Sequence, residues 1–168
     1  MRPPKLPIEN KENYFNKLIE EVKNYFPFEL NFSGFNETVE EYENLDSTDY
    51  KKSWELSRDL NVWGEYFSEL KSVTEKLYLD AETDKKKIFA EASINKDVTK
   101  VANGDRLANK DDSVIKIRKK RNALKAFSLA LESKIDFCYR IHHHCKATCN
   151  WIKIYNDRST KTNENEPF

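Results

Sequence analysis

The residues of this chain best suited to ligand or nucleophile chemistry crowd into one short stretch: Cys138, His142, His143, His144, Cys145 and Cys149. Thiolates and imidazoles are the usual donors to zinc, which needs four of them around one point at ~2.0–2.3 Å. On a single helix, rising ~1.5 Å per residue, Cys138 and Cys149 stand on the order of 16 Å apart and cannot close on one ion. At most His142 with Cys145, or Cys145 with Cys149, could share an ion, and no second Cys/His cluster exists to supply the remaining donors. Cys138, His142, Cys145 and Cys149 also recur at the spacing of an apolar helical seam, so buried thiols and one polar seam histidine are expected, and no metal site. A catalytic Cys/His pair would lack pocket-forming loops. The chain has no glycine-rich phosphate loop, no Gly-x-Ser-x-Gly elbow and no paired carboxylates in a setting for acid/base work. Neither an enzyme nor a cofactor is expected.

A second group of residues has binding chemistry. Lys85, Lys86 and Lys87 form one basic run; Lys96, Lys100, Arg106 and Lys110 follow; Lys116, Arg118, Lys119, Lys120 and Lys125 form a third. Counting Arg121, residues 85–125 hold 13 basic and 5 acidic side chains. The formal net charge of zero hides this asymmetry, because residues 1–84 sum to −9 and residues 85–168 to +9. Phosphate backbones are held by many cations in a row, each releasing counterions. Phe89 and Phe127 are the nearest aromatics that could stack on bases. A lysine run is ordinarily a solvated helix face. Three runs brought to one place would instead point to a polyanion, or to an acidic region lying over a basic one.

The elements that would bring them together are helical. No proline lies between Phe28 and Glu166, and the only glycines are Gly34, Gly64 and Gly104. So few breakers exclude the many tight turns of a β-sandwich or barrel. Leu56, Leu60, Trp63, Phe67, Leu70, Thr74, Leu77, Ala81, Asp84 and Ile88 alternate at spacings of four and three, a heptad seam. Val114, Ile117, Arg121, Leu124, Ser128, Leu131, Ile135, Cys138, His142, Cys145, Cys149 and Ile152 repeat the pattern. Phe127, Phe137, Ile141, Trp151 and Tyr155 widen that second face. Two seamed helices joined by a polar link should fold back on each other. The expectation is an all-α protein built on a long antiparallel, coiled-coil-like hairpin over residues 48–156, with the basic runs at its tip. Asn109, Asp111 and Asp112 suit the first turn of the second arm.

Residues 1–47 supply a proline-rich arm, a helix capped by Asn10 and carrying Tyr14, Phe15, Leu18, Ile19, Val22, Tyr25 and Phe26, then an acidic aromatic segment. In that segment Ser33 and Gly34 read as a turn, with a short helix around 37–43. Residues 157–168 have no apolar period and read as a disordered tail. The flanking aromatics must be covered by the first helix or by a second copy of the chain, so a homo-oligomer is one expectation and a three-helix bundle the other. No stretch approaches the ~20 apolar residues of a membrane span, and the three cysteines do not suggest a disulfide framework. A cytoplasmic protein with no membrane partner is expected.

The order of features over residues 63–146 resembles the small phage recombination mediator proteins of the UvsY type. The shared features are Trp63 ahead of a heptad helix, Asp80 and Ala81, Lys85 to Lys87 with Ala90 and Ala92, then Leu107-Ala108-Asn109-Lys110-Asp111, Val114-Ile115-Lys116-Ile117 and Asp136-Phe137-Cys138. The resemblance covers about half the chain. It implies a ring-forming protein that binds single-stranded DNA and loads a RecA-type recombinase onto DNA covered by single-strand-binding protein, in the cytoplasm of a bacterial host. It also implies DNA contacts near the end of the first long helix, where Lys85, Lys86 and Lys87 are the nearest candidates. Two other classes stay open: a protein-binding inhibitor, of the anti-defence or host-takeover kind, whose acidic half blocks a basic cleft, and a coiled-coil assembly factor.

Overall fold

The computed structural model describes residues 8–46, 48–94 and 101–163. Of these, 88% are α-helical and none forms a strand, which establishes the all-α class. In chain order the helices are α1 (Ile8–Val22), α2 (Ser33–Glu43), α3 (Tyr50–Ile94), α4 (Val101–Ala108) and α5 (Asp112–Asn163), with a 3₁₀ turn, Lys23–Tyr25, after α1. None of the described helices is long and apolar enough to cross a membrane.

The chain divides into two compact units, and the two long helices contribute to both. One unit comprises Met1–Leu30 and Leu70–Leu131; the other comprises Asn31–Glu69 and Glu132–Phe168. In the first, Leu70, Thr74 and Ala81 of α3 are buried, as are Val114, Leu124, Phe127 and Leu131 of α5. Glu82 meets Arg121 at 3.0 Å and Ser128 donates to Glu75 at 3.5 Å, so partners on α5 rise in number as those on α3 fall. The segments run antiparallel. Thr74, a polar residue on the seam, satisfies its hydroxyl internally by donating to the Leu70 carbonyl at 2.7 Å. α1 lies against the same core: Phe15 stacks on Phe127 with ring centres 5.9 Å apart, and Phe26 meets it edge-on at 6.0 Å.

In the second unit Leu56, Leu60 and Phe67 of α3 pack with Cys138, Ile141 and Cys145 of α5 as the buried set. Its pairings are again antiparallel, with Ser53 donating to the Cys145 carbonyl at 2.9 Å and His142 meeting Ser57. α2 completes the unit through Phe35, which is buried and meets Phe67 at 5.0 Å and Phe137 at 6.3 Å.

Several boundaries differ from those read off the sequence. α1 begins at Ile8, so Asn10 lies inside it rather than capping it. Ser33 and Gly34 are the first residues of α2 rather than a turn, because the Asn31 carboxamide oxygen accepts from the Ser33 N–H at 3.0 Å and fixes the entry. Lys85 to Lys87 do not end α3, which continues to Ile94, since lysine is a good helix former and no breaker follows. The link contains a helix of its own, α4. Helical backbone reaches Asn163, seven residues into the segment read as a disordered tail, because no proline precedes Pro167 to stop it; positions 164–168 lie outside the described residues. Asp112 lies in the first turn of α5 as expected, and Asp111 just precedes it, its carboxylate accepting from the Ser113 N–H at 3.0 Å.

Candidate nucleic-acid interface

The first unit holds 20 basic and 14 acidic residues, net +6, and the second holds 9 and 15, net −6. The charge asymmetry of the sequence therefore becomes an asymmetry between folded units. All the candidate basic residues belong to the first unit. Lys96 and Lys100 lie outside the described residues, leaving ten that can be placed.

α3 presents Lys86 and Lys87 to solvent, with Lys85 half-buried and donating to Glu82 at 3.3 Å. α4 carries exposed Arg106, and exposed Lys110 follows it. Gly104 holds α4 in place: a Cβ there would stand 3.1 Å from the Ser93 carbonyl oxygen near the end of α3. A methyl group there would be tighter than ordinary van der Waals contact, and glycine spares the two backbones that adjustment. α5 adds exposed Lys116, Lys119 and Lys125 and half-buried Arg118 and Lys120.

These cations are not equivalent. Arg118 sits over the Phe89 ring, 5.9 Å from its centre, and donates to the Asn109 side chain. Lys120 lies 5.2 Å from the centre of Tyr25, and Lys125 lies 5.5 Å from that of Tyr78. Such contacts hold the ammonium groups over aromatic faces while leaving donors free. Arg121, on the seam, is half-buried and paired with Glu82. That hydrogen bond, followed in weight by the contact with Lys85, holds the Glu82 carboxyl below the usual carboxylate range. Lys86, Lys87 and Lys116 are exposed and, among the described residues, take part in no ion pair, hydrogen bond or ring contact.

One expectation fails here. Phe127 is fully buried under Phe15 and Phe26, so it cannot stack on a base. Its position on the wide apolar face of α5 gave it to the core once α1 docked there. Phe89 is half-buried with Arg118 over it. Of the aromatics beside the lysines, Tyr14, 59% exposed, and half-buried Tyr25 line a groove next to Lys119. Neither was marked by the sequence, because both read as part of α1's apolar stripe.

The cysteine and histidine cluster lies in the other unit. Cys138 and Cys145 are buried and Cys149 is half-buried, all as free thiols. Burial pushes the Cys138 thiol up to about 12 and raises that of Cys145. A group held so firmly neutral is a poor nucleophile. His142 donates from Nδ1 to the Ser57 carbonyl oxygen at 2.7 Å, and the Ser57 hydroxyl lies within reach of the His142 carbonyl at 3.4 Å. His144 meets the Tyr42 hydroxyl at 3.3 Å. Among the described residues no group of three His, Cys, Asp or Glu side chains is placed to hold a metal ion. No protein-family model, curated protein or solved structure matches the chain.

Proposed function

We propose that this protein is a single-stranded nucleic-acid-binding accessory factor whose basic unit holds the phosphate backbone. The observation that carries the reading is the gathering of cations from α3, α4, the α4–α5 junction and α5 in one unit of net charge +6. Charges on one helix face need no ligand to explain them; cations from separate elements gathered in one folded unit suit a polyanion. The antiparallel pairings within each unit support reading α3 and α5 as the arms of a helical hairpin. The likeness to phage recombination mediators supplies the biological setting: binding the strand so that a RecA-type recombinase can replace single-strand-binding protein. For a homo-oligomer there is mixed support. Phe127 and Phe137, which either the first helix or a second copy was expected to cover, are met by Phe15 and Phe35 of the same chain. Trp151, 74% exposed, is still available to one.

The test is binding of oligo-dT across a salt series, with the charge-reversal variant Lys86→Glu/Lys87→Glu/Lys116→Glu. These three are exposed, so the fold should survive, while each lost phosphate contact flattens the salt dependence by roughly 0.7 log unit. A slope lower by about 2 with weaker binding supports the reading. A folded variant with unchanged affinity and slope overturns it.

One observation favours a different class. The acidic unit exposes Glu37, Glu40, Glu41 and Glu43 along α2, a surface suited to a basic cleft on another protein. Failure of the wild-type chain to bind any single strand, at low salt, would turn attention to that inhibitor reading.

A further inference from the structure

Beside the lysines of α5 runs an open-sided groove of about 490 Å³, between α1 with its 3₁₀ turn and one face of α5. Tyr14, Leu18, Glu21 and Tyr25 form one wall; Lys119 and Asn122 form the other, and Ala123 and Ala126 lie along α5. The volume falls within the ~300–1,000 Å³ of small-molecule sites. We infer that this groove seats bases of the bound strand, with Tyr14 and Tyr25 as the stacking surfaces and Lys119 and Lys120 holding the adjoining phosphates.

The inference rests on the proposed binding of a single strand and adds where the bases go. Single-strand sites pair a cationic track with aromatic faces, because every base has a π-face and stacking tolerates any sequence. Phe127 is buried and Phe89 does not line this groove, so neither expected aromatic can serve as its stacking face. Tyr14 and Tyr25 line the groove instead, and Lys120 is anchored over Tyr25. A nucleotide there meets ring and cation together. The small side chains of Ala123 and Ala126 leave room for a planar ring.

Glu21 sets the orientation. A carboxylate in the wall repels phosphate, so the backbone must lie towards Lys119 and Lys120 and the base towards α1. The carboxylate can accept from an exocyclic amino group. Asn122 already has its oxygen engaged by Arg121, at 3.1 and 2.7 Å, which leaves its amide N–H groups to donate to a base carbonyl.

The experiment measures oligo-dT affinity and its salt slope for Tyr14→Ala/Tyr25→Ala and Tyr14→Phe/Tyr25→Phe. Each stacked base lost lowers affinity about 5- to 150-fold without releasing counterions. The alanine pair should therefore bind at least 5-fold more weakly with an unchanged salt slope, and the phenylalanine pair should bind like wild type. Ala123→Leu fills the groove while keeping both tyrosines, and should weaken binding in the same slope-neutral way; it covers the case of an alanine pair that fails to fold. If the lysine variant of the preceding section weakens binding but neither the tyrosine pair nor Ala123→Leu does, the groove is not the base site and the basic surface alone binds the strand. If the wild-type chain binds no strand, the function proposed above falls and this inference falls with it.

Discussion

Phe127 offers a direct test of how the basic unit is built. Its side chain is fully buried, stacked at 21° on Phe15 and met edge-on by Phe26. Phe127→Ala removes a whole ring from this junction, and truncations of that kind cost about 3–5 kcal/mol in transfer and cavity terms together. Against a total stability of about 5–15 kcal/mol this is a large fraction. With a urea m-value of about 2 kcal/mol/M, the unfolding midpoint should fall by roughly 2 M, read by far-UV circular dichroism. Phe127→Leu keeps most of the volume and should cost less than about 1.5 kcal/mol. The more searching measurement is the cycle with Phe15→Ala. If α1 docks on α5 through this pair, the two single changes should be non-additive by about 0.5–1.5 kcal/mol. A Phe127→Ala cost below about 1 kcal/mol, or zero coupling with Phe15, would refute the packing of α1 on the core. The tyrosine groove would go with it.

Other outcomes follow from the same structure. Alkylation of the native protein should label Cys149 first, with Cys138 and Cys145 reacting only on unfolding, as followed by mass spectrometry. The Cys138 thiol ionises near 9 when unfolded but is pushed to about 12 by burial, so its stabilising contribution is complete below the unfolded value and is lost as pH rises across that window. The stability advantage of wild type over Cys138→Ala should therefore shrink on going above pH ~9, and a constant difference would contradict the burial. Glu82 has the opposite sign: its lowered carboxyl stabilises the fold above the ordinary carboxylate range and ceases to do so as pH falls through the folded value. NMR titration should show that lowered midpoint in wild type and one closer to the ordinary range in Arg121→Gln, where the Lys85 contact remains.

Much of the helix content was legible in the sequence because the seams are long and nearly unbroken. Leu56, Leu60, Phe67, Leu70, Leu124 and Leu131 all come out buried, as the four-three spacing required. The spacing also held for Thr74 and Ser128, which the fold buries with their hydroxyls bonded. What could not be read were features set by contacts between distant segments. Ser33 and Gly34 look like a turn until the Asn31 side chain is seen accepting from the N–H of Ser33, the first residue of the helix. Ser53 and Ser57 gave no periodic signal, yet they face Cys145 and His142 and satisfy the polar groups there. Phe127 and Tyr14 both belong to apolar stripes; only the docking of α1 decides that one is core and the other surface. The ten placeable cations were found from composition alone, whereas their division into ring-anchored and unpaired groups depends on Tyr25, Tyr78 and Phe89.

The seam of α3 weakens where the cations begin. Leu70, Thr74 and Ala81 are buried, but Leu77 is only half-buried, Asp84 is exposed, and Ile88 is half-buried. Beyond Ala81 the ties include the Glu82–Arg121 pair, the Arg118–Phe89 contact, the hydrogen bond from the Ser93 hydroxyl to Asp105 at 3.4 Å and the approach of Gly104 to Ser93. Exposed or half-exposed ion pairs contribute about 0–1 kcal/mol each, less than one buried leucine or phenylalanine. A surface that must present many like charges cannot also bury much, because every lysine there keeps its head in water. Their mutual repulsion adds to the cost of holding them together, and a polyanion would relieve it. The end of α3, from Glu82 to Ile94, contains no buried residue, whereas Ala108 of α4 and Val114 and Ile117 of α5 are buried, so those last turns of α3 are the part of that helix held least by burial. Binding a strand would stabilise that part most, so ligand and fold are coupled there in a way that the leucine-lined stretches are not.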